Sequence, residues 1–244
     1  MFIVILFNKM KQISQLVKFF ILLFFIGFGS QAFAQDSDFG LWSTVDLSKK
    51  LSNRLKLGFE EEYRLRNNLL TTDKFQTTLE LSYKTCDYFS TGVSYTMINY
   101  YHPRNDEHEH NYWELRNRFN IFGEGEYEID RFTITLRERL QSTYRVLDSL
   151  STAGLNPKLH LRSKLNVSYN IKGLPLEPYA FIELFHLLND EEPFQFEKYR
   201  IATGLKYDIS KKLSVKAGYL YTAETDSEEG DKAHIVTIGL GYKF

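Results

Sequence analysis

Residues 233–244 read Ala233-His-Ile-Val-Thr-Ile-Gly-Leu-Gly-Tyr-Lys-Phe244. Taken as a strand, Val236, Ile238, Leu240, Tyr242 and Phe244 share one face, and Ile235, Thr237, Gly239, Gly241 and Lys243 the other. The first face is apolar throughout, and the second is small or polar after Ile235. Successive strand residues point to opposite sides, so this is an alternation of period two. A strand with no element after it to cover it must close a sheet, lie on an edge or be completed by a partner.

The same alternation recurs back along the chain. Apolar residues oppose polar ones over 39–47, 55–65, 75–84, 89–100, 113–121, 132–141, 158–169, 198–209 and 213–222, as they do in the last stretch. Residues 179–188 also read as a strand, but both faces are largely apolar and the inner one is not assignable. Short connections at 48–53, 85–87, 123–130, 170–177 and 210–212 alternate with longer loops near 70, 105, 150, 192 and 228. Most of these strands run to ten or more residues, against ~5–6 for an ordinary soluble strand and ~9–11 for a tilted membrane strand. Long strands joined by alternating short turns and long loops describe a transmembrane barrel. The expected fold is therefore all-β, a single antiparallel transmembrane β-barrel of roughly ten to twelve strands. The count is eleven, whereas bacterial single-chain barrels have an even number. Either 39–47 is not a wall strand and enters the lumen as a plug, or one strand is missed or fused.

The ending resembles the C-terminal strand of bacterial outer-membrane barrels. In those, a terminal Phe with an aromatic two residues earlier is the signal read by the barrel assembly machinery. The resemblance implies that role for Phe244 and Tyr242, and a periplasmic position for the chain end and the short turns.

The N-terminal region fits export. Lys9, Lys11 and Lys18 precede the apolar run 19–28, and Ala32-Phe33-Ala34 follows. That is a signal peptide over 1–34 with cleavage after Ala34, leaving a mature barrel over 35–244. The leading nine residues are dispensable in this reading, with Met10 as an alternative start. The competing reading is a retained inner-membrane anchor, although the run is short for a span, which takes ~20 apolar residues. No Cys follows the run, which excludes lipid attachment there.

Lys+Arg 30 against Asp+Glu 31 gives no field for nucleic acid, so no nucleic-acid partner is expected. Tyr 16 and Phe 20 with only Pro 5 suit strands and interfacial aromatic girdles. Cys86 is the only cysteine and lies in an expected tight turn, so no disulfide and no thiol chemistry is expected.

The polar face carries Glu60, Glu62, Arg64, Glu80, Lys84, Glu114, Arg116, Arg118, Arg137, Arg139, Arg162, Lys164, Arg200 and Lys206. A soluble sandwich has no place for this set, whereas in a narrow barrel these residues face one another and pair. The preferred reading is a salt-bridge network that fills the lumen, with the acids interleaved among the arginines because like charges side by side repel. The alternative is a basic constriction selecting anions, built on Arg116, Arg118, Arg137, Arg139 and Arg162.

Three residues interrupt the apolar face: Glu61, Asn117 and Glu138. They are expected at a membrane interface or in a bulge, since charge facing lipid is costly. Ser163 and His234 also lie on that face. A membrane-embedded lipid hydrolase of the phospholipase or lipid A deacylase type would need such a pair together. His102, His108 and His110 share an acidic loop; His108 and His110 are the candidates for a metal, but an exposed charged loop is more often solvated. No cofactor is expected.

The whole mature chain resembles an uncharacterised bacterial outer-membrane β-barrel family, the domain of unknown function DUF2490. Trp42, the run 60–66, Leu136-Arg137-Glu138-Arg139 and Tyr242-Lys243-Phe244 carry the resemblance. The family implies no activity. The expectation is an outer-membrane barrel in contact with outer-membrane lipid, structural or narrow-pored. The alternatives are the lipid hydrolase and a secreted soluble β-barrel ligand binder, which would require an apolar lumen.

Overall fold

The computed structural model describes residues 37–104, 110–146, 156–190, 193–225 and 232–244. The expected signal peptide with its cleavage site at Ala34 and the metal candidate His108 lie outside the described residues.

The period-two segments form eleven strands. They are β1 (Ser37–Lys50), β2 (Leu55–Arg66), β3 (Thr71–Cys86), β4 (Phe89–His102), β5 (Tyr112–Ile129) and β6 (Phe132–Arg145), then β7 (Lys158–Tyr169), β8 (Leu176–Leu187), β9 (Gln195–Asp208), β10 (Leu213–Glu224) and β11 (Lys232–Lys243). Every consecutive pair is antiparallel, and the ring closes with β1 beside β11.

This geometry resolves the parity conflict. With an odd number of strands, each antiparallel to the next, the first and last run the same way. The closing seam is therefore parallel. The Phe244 amide donates to the Ser48 carbonyl at 2.9 Å, and Thr44 Oγ1 donates to the Ile238 carbonyl at 3.2 Å. The parity left open above is therefore odd, and of the two alternatives the plug falls: Ser37–Lys50 is a wall strand.

Two further sequence readings are corrected. The expected connection at 123–130 is strand, because Gly125, Tyr127 and Ile129 continue the alternation against Glu124, Glu126 and Glu128. The turn is Asp130–Arg131 alone, and Asp130 takes φ 54°, a conformation Asp tolerates better than most residues. β8 begins at Leu176, inside the expected 170–177 connection, and carries Pro178 opposite Leu205.

The short turns share a device. Ser52 Oγ accepts from the amides of Arg54 and Leu55 at 3.2 and 3.0 Å, and Ser210 Oγ accepts from those of Lys212 and Leu213 at 3.2 and 3.1 Å. In the Asp87 turn, Lys84 Nζ at 2.8 Å from Asp87 holds that carboxyl below its ordinary range. At the opposite end the Asp38 carboxylate accepts from Asn67 and Asn68, both at 3.0 Å, where three successive residues have positive φ.

The outside is apolar. Phe59, Leu79, Val93, Phe119, Ile121, Leu136, Leu140, Leu165, Ile201 and Leu240 are all exposed large apolar side chains. Aromatic pairs mark both rims. Tyr88–Tyr127 (6.4 Å), Phe132–Tyr169 (4.8 Å) and Tyr242–Phe244 (4.9 Å) lie at the turn end. Tyr101–Trp113 (5.1 Å) and Tyr199–Tyr221 (6.1 Å) lie at the loop end.

Candidate functional site: the charged lumen

Alternation places one face of each strand inside. Along β2 the inward residues pass from exposed Lys56 through Glu60 and Glu62 to Arg64, 9 % exposed. Along β3 they pass from exposed Lys84 to Gln76 at 4 %, and on β4 the inward series includes Ile98, which is 0 % exposed, before half-buried Tyr100 and His102. Along these strands burial rises from the turn end towards the loop end, although Ser168 on β7 and Ser214 on β10 are also buried near the turns. The lumen is filled in its loop-side half and hollow in its turn-side half, where a cavity of about 850 Å³ is lined by Asp46, Lys56, Glu60, Glu80, Arg139, Lys164, Glu177 and Lys216 among others.

The filled half is crossed by a closed circuit of contacts. Glu62 binds Arg64 at 2.6 Å, and the Arg64 guanidinium lies 3.4 Å from the centroid of the Trp42 ring. Arg200 approaches the same ring at 5.0 Å and the Phe185 ring at 4.7 Å. Glu183, 5 % exposed, joins Arg200 (3.5 Å) to Arg162 (2.7 Å). Arg162 donates to Gln141 Oε1 at 2.8 Å, and Gln141 donates to Thr143 Oγ1 at 3.4 Å. Arg118 donates to Thr143 Oγ1 at 3.3 Å and to Gln76 Oε1 at 3.4 Å, and Gln76 donates back to Glu62. An apolar group of Ala202, Leu220 and Ile235 packs against Trp42 and Phe181 beside the circuit. Cations over aromatic faces and paired carboxylates are each favourable when water is excluded.

The ten residues expected in a lumen network all lie on inward faces. The structure pairs Glu62 with Arg64, Glu114 with Arg116, and Glu80 with Arg137 at 2.6 Å. Arg118 takes Gln76 and Thr143 instead of an acid, and Arg162 takes Glu183. Glu60 faces Asp46 on β1 rather than a base. Arg139 faces Arg162, and Arg137 faces Lys164. Interleaving of acids and bases therefore fails at two places, an acidic one on β1–β2 and a basic one on β6–β7. Sequence reasoning missed Trp42, Gln76, Gln141 and Glu183 as members. Glu183 had a usable signal, since the one acid in the largely apolar stretch 179–188 marks the lumen side.

The interruptions of the outer face sit in regular register, not in a bulge. Thr77 Oγ1 donates to Glu61 at 3.0 Å, Tyr95 OH to Asn117 at 2.7 Å, and Ser163 Oγ to Glu138 at 2.6 Å. Each is satisfied by a neighbouring strand. Ser163 on β7 and His234 on β11 are not brought together; His234 pairs with Tyr219. Among the described residues no His, Cys, Asp and Glu cluster suits a metal, and His102 binds Glu114 at 3.0 Å. Cys86 is free and exposed at the end of β3.

Residues 39–233, nearly all of the barrel wall, match the family described as a protein of unknown function, DUF2490. The chain belongs to this family. No curated protein matches this DUF2490 chain. Among solved structures it is similar to the crystal structure of the beta domain of the Bordetella autotransporter BrkA. The two share 11 % identity with a TM-score of 0.46, over 80 % of this chain and 86 % of that one.

Proposed function

We propose that this DUF2490 barrel is an outer-membrane protein of structural character, with its lumen closed by the loop-side network rather than open as a pore. The observation that carries this is the inversion of an ordinary soluble protein: charges inside, many of them paired, large apolar side chains outside, aromatic rims at both ends. An exposed apolar belt of that extent needs lipid to cover it. Export would use the segment 1–34 with cleavage after Ala34, and the barrel assembly machinery would read Tyr242 and Phe244. The outward polar residues Glu61, Asn117 and Glu138 are tolerable in lipid because each accepts a hydrogen bond from an adjacent strand.

Membrane fractionation with unboiled and boiled gel migration tests the placement. The expected result is recovery with outer membranes and a heat-dependent mobility shift. Recovery in the soluble periplasm would overturn it. Planar-bilayer recording tests the closed lumen, for which no stable conductance is expected. A steady anion-selective current would replace the closed lumen with the constriction reading.

A further inference from the structure

The basic wall of β6 and β7 has no structural explanation within the network. Arg137 stands directly opposite Lys164, and Arg139 directly opposite Arg162. Four cations in a two-by-two square repel, and a sheet does not favour them by itself. Two are neutralised: Arg137 by Glu80, with Glu124 at 3.7 Å, and Arg162 by Glu183. Among the described residues neither Arg139 nor Lys164 has a carboxylate within ion-pair distance. The acids nearest in electrostatic reach, Glu80 and Glu183, are already engaged. Lys164 rests over the Phe181 ring at 3.8 Å, which orients its ammonium without neutralising it. Arg137 lies over the Phe122 ring at 3.8 Å, and its Nε is a buried donor with no acceptor.

These groups line the hollow half of the lumen, beneath the closed circuit. The cavity, about 850 Å³, is of small-molecule size. Its inward strand ends at the turn side, Lys56 and Lys216, are exposed, so it is reached from that end.

We propose that Arg139, Lys164 and Arg137 form a binding site for a small, multiply charged oxyanion at the inner end of a blind vestibule open at the turn end of the barrel. A guanidinium presents a planar fork to a carboxylate or phosphate group, and a lysine supplies a point charge beside it. The ligand relieves the repulsion between the facing cations. The square is compatible with either phosphate or carboxylate chemistry. The acidic wall opposite, Asp46 and Glu60, confines the anion to one side of the vestibule.

The test uses the purified full barrel in zwitterionic detergent, titrated calorimetrically with pyrophosphate and with citrate, each against chloride at matched ionic strength. Saturable binding of at least one oxyanion is expected, and the stronger arm identifies the source chemistry. The double substitution Arg139→Gln, Lys164→Gln should weaken that binding tenfold or more, since each charged contact removed is worth about a factor of ten. Lys198→Gln, on β9 at the loop end and paired with Glu224, should leave it within twofold. Binding no tighter than chloride in both arms overturns the site, as does binding unchanged in the double variant or lost equally in Lys198→Gln. Removing two unpaired cations relieves repulsion, so the double variant should unfold at the same or higher denaturant. A double variant that fails to fold would make the cluster structural and overturn the proposal.

Discussion

Glu183 is the residue on which two strands of argument meet. It is 5 % exposed and serves both Arg162 and Arg200. Removing one partner of a buried pair strands the other, at a cost of ~3–5 kcal/mol when burial is complete. Arg162→Ala should therefore lower the barrel's unfolding free energy by about that range, less what Arg200 recovers. Adding Glu183→Gln should deepen the loss, because Arg200 then loses its carboxylate as well, which urea titration of the single and double variants measures. A second residue-scale prediction concerns Tyr179. Its ring lies across Gly204 and Gly218, where an added Cβ would come within 2.6 and 2.9 Å of the hydroxyl. Gly204→Ala also meets the Ala217 carbonyl at 2.6 Å, so the sheet or the ring must shift. A destabilisation of ~1–3 kcal/mol is expected, as for other overpacked sites, and the same titration reads it. The residue types of the network were legible because alternation alone sorts inside from outside. The partners were not, because register across the lumen depends on how the ring closes. Glu183 escaped because Ile182, Leu184 and His186 on its lipid side resemble the rings of its lumen side.

At the scale of the element, the last strand is where the sequence was most informative and the first where it misled. β11 shows strict alternation and its apolar face is outward, as read. β1 was doubted only because an even count was assumed. Its own pattern was sound, with Leu41, Ser43, Val45 and Leu47 against Trp42, Thr44 and Asp46. The 123–130 connection failed for a related reason: Gly123 and Gly125 look like turn residues, yet Phe89 packs at 3.1 Å from a Cβ built on Gly123, so the glycine accommodates a neighbouring ring. The seam gives the terminal residue a structural role beside the assembly role proposed for it, because the Phe244 amide bonds Ser48 across it. Changing Phe244 to Asp should leave export intact and reduce folded barrel in the membrane severalfold, measured as the heat-shifted band on unboiled gels. Normal assembly of that variant would remove the last strand from the recognition role.

At the scale of the whole molecule, an odd strand count has a consequence that no single strand carries. Because β1 and β11 run in parallel, β1 starts at the loop end, beside the 67–70 turn that Asp38 caps, while β11 finishes at the turn end beside Ser48. The two barrel ends of the chain therefore lie on opposite sides of the wall. In an even-stranded barrel they would share one side. If the turn end faces the periplasm, the start of β1 faces outward, and the vestibule with Arg139 and Lys164 opens inward beneath the filled half. An epitope placed immediately before Ser37 should then be reached by antibody on intact cells. The same epitope placed in the turn at Lys211 should be reached only after the outer membrane is permeabilised. Labelling of both positions on intact cells, or of neither, would contradict a parallel seam and point to an even-stranded wall with β1 elsewhere. The two labels also orient the cavity: whichever side reaches Lys211 is the side from which an oxyanion enters.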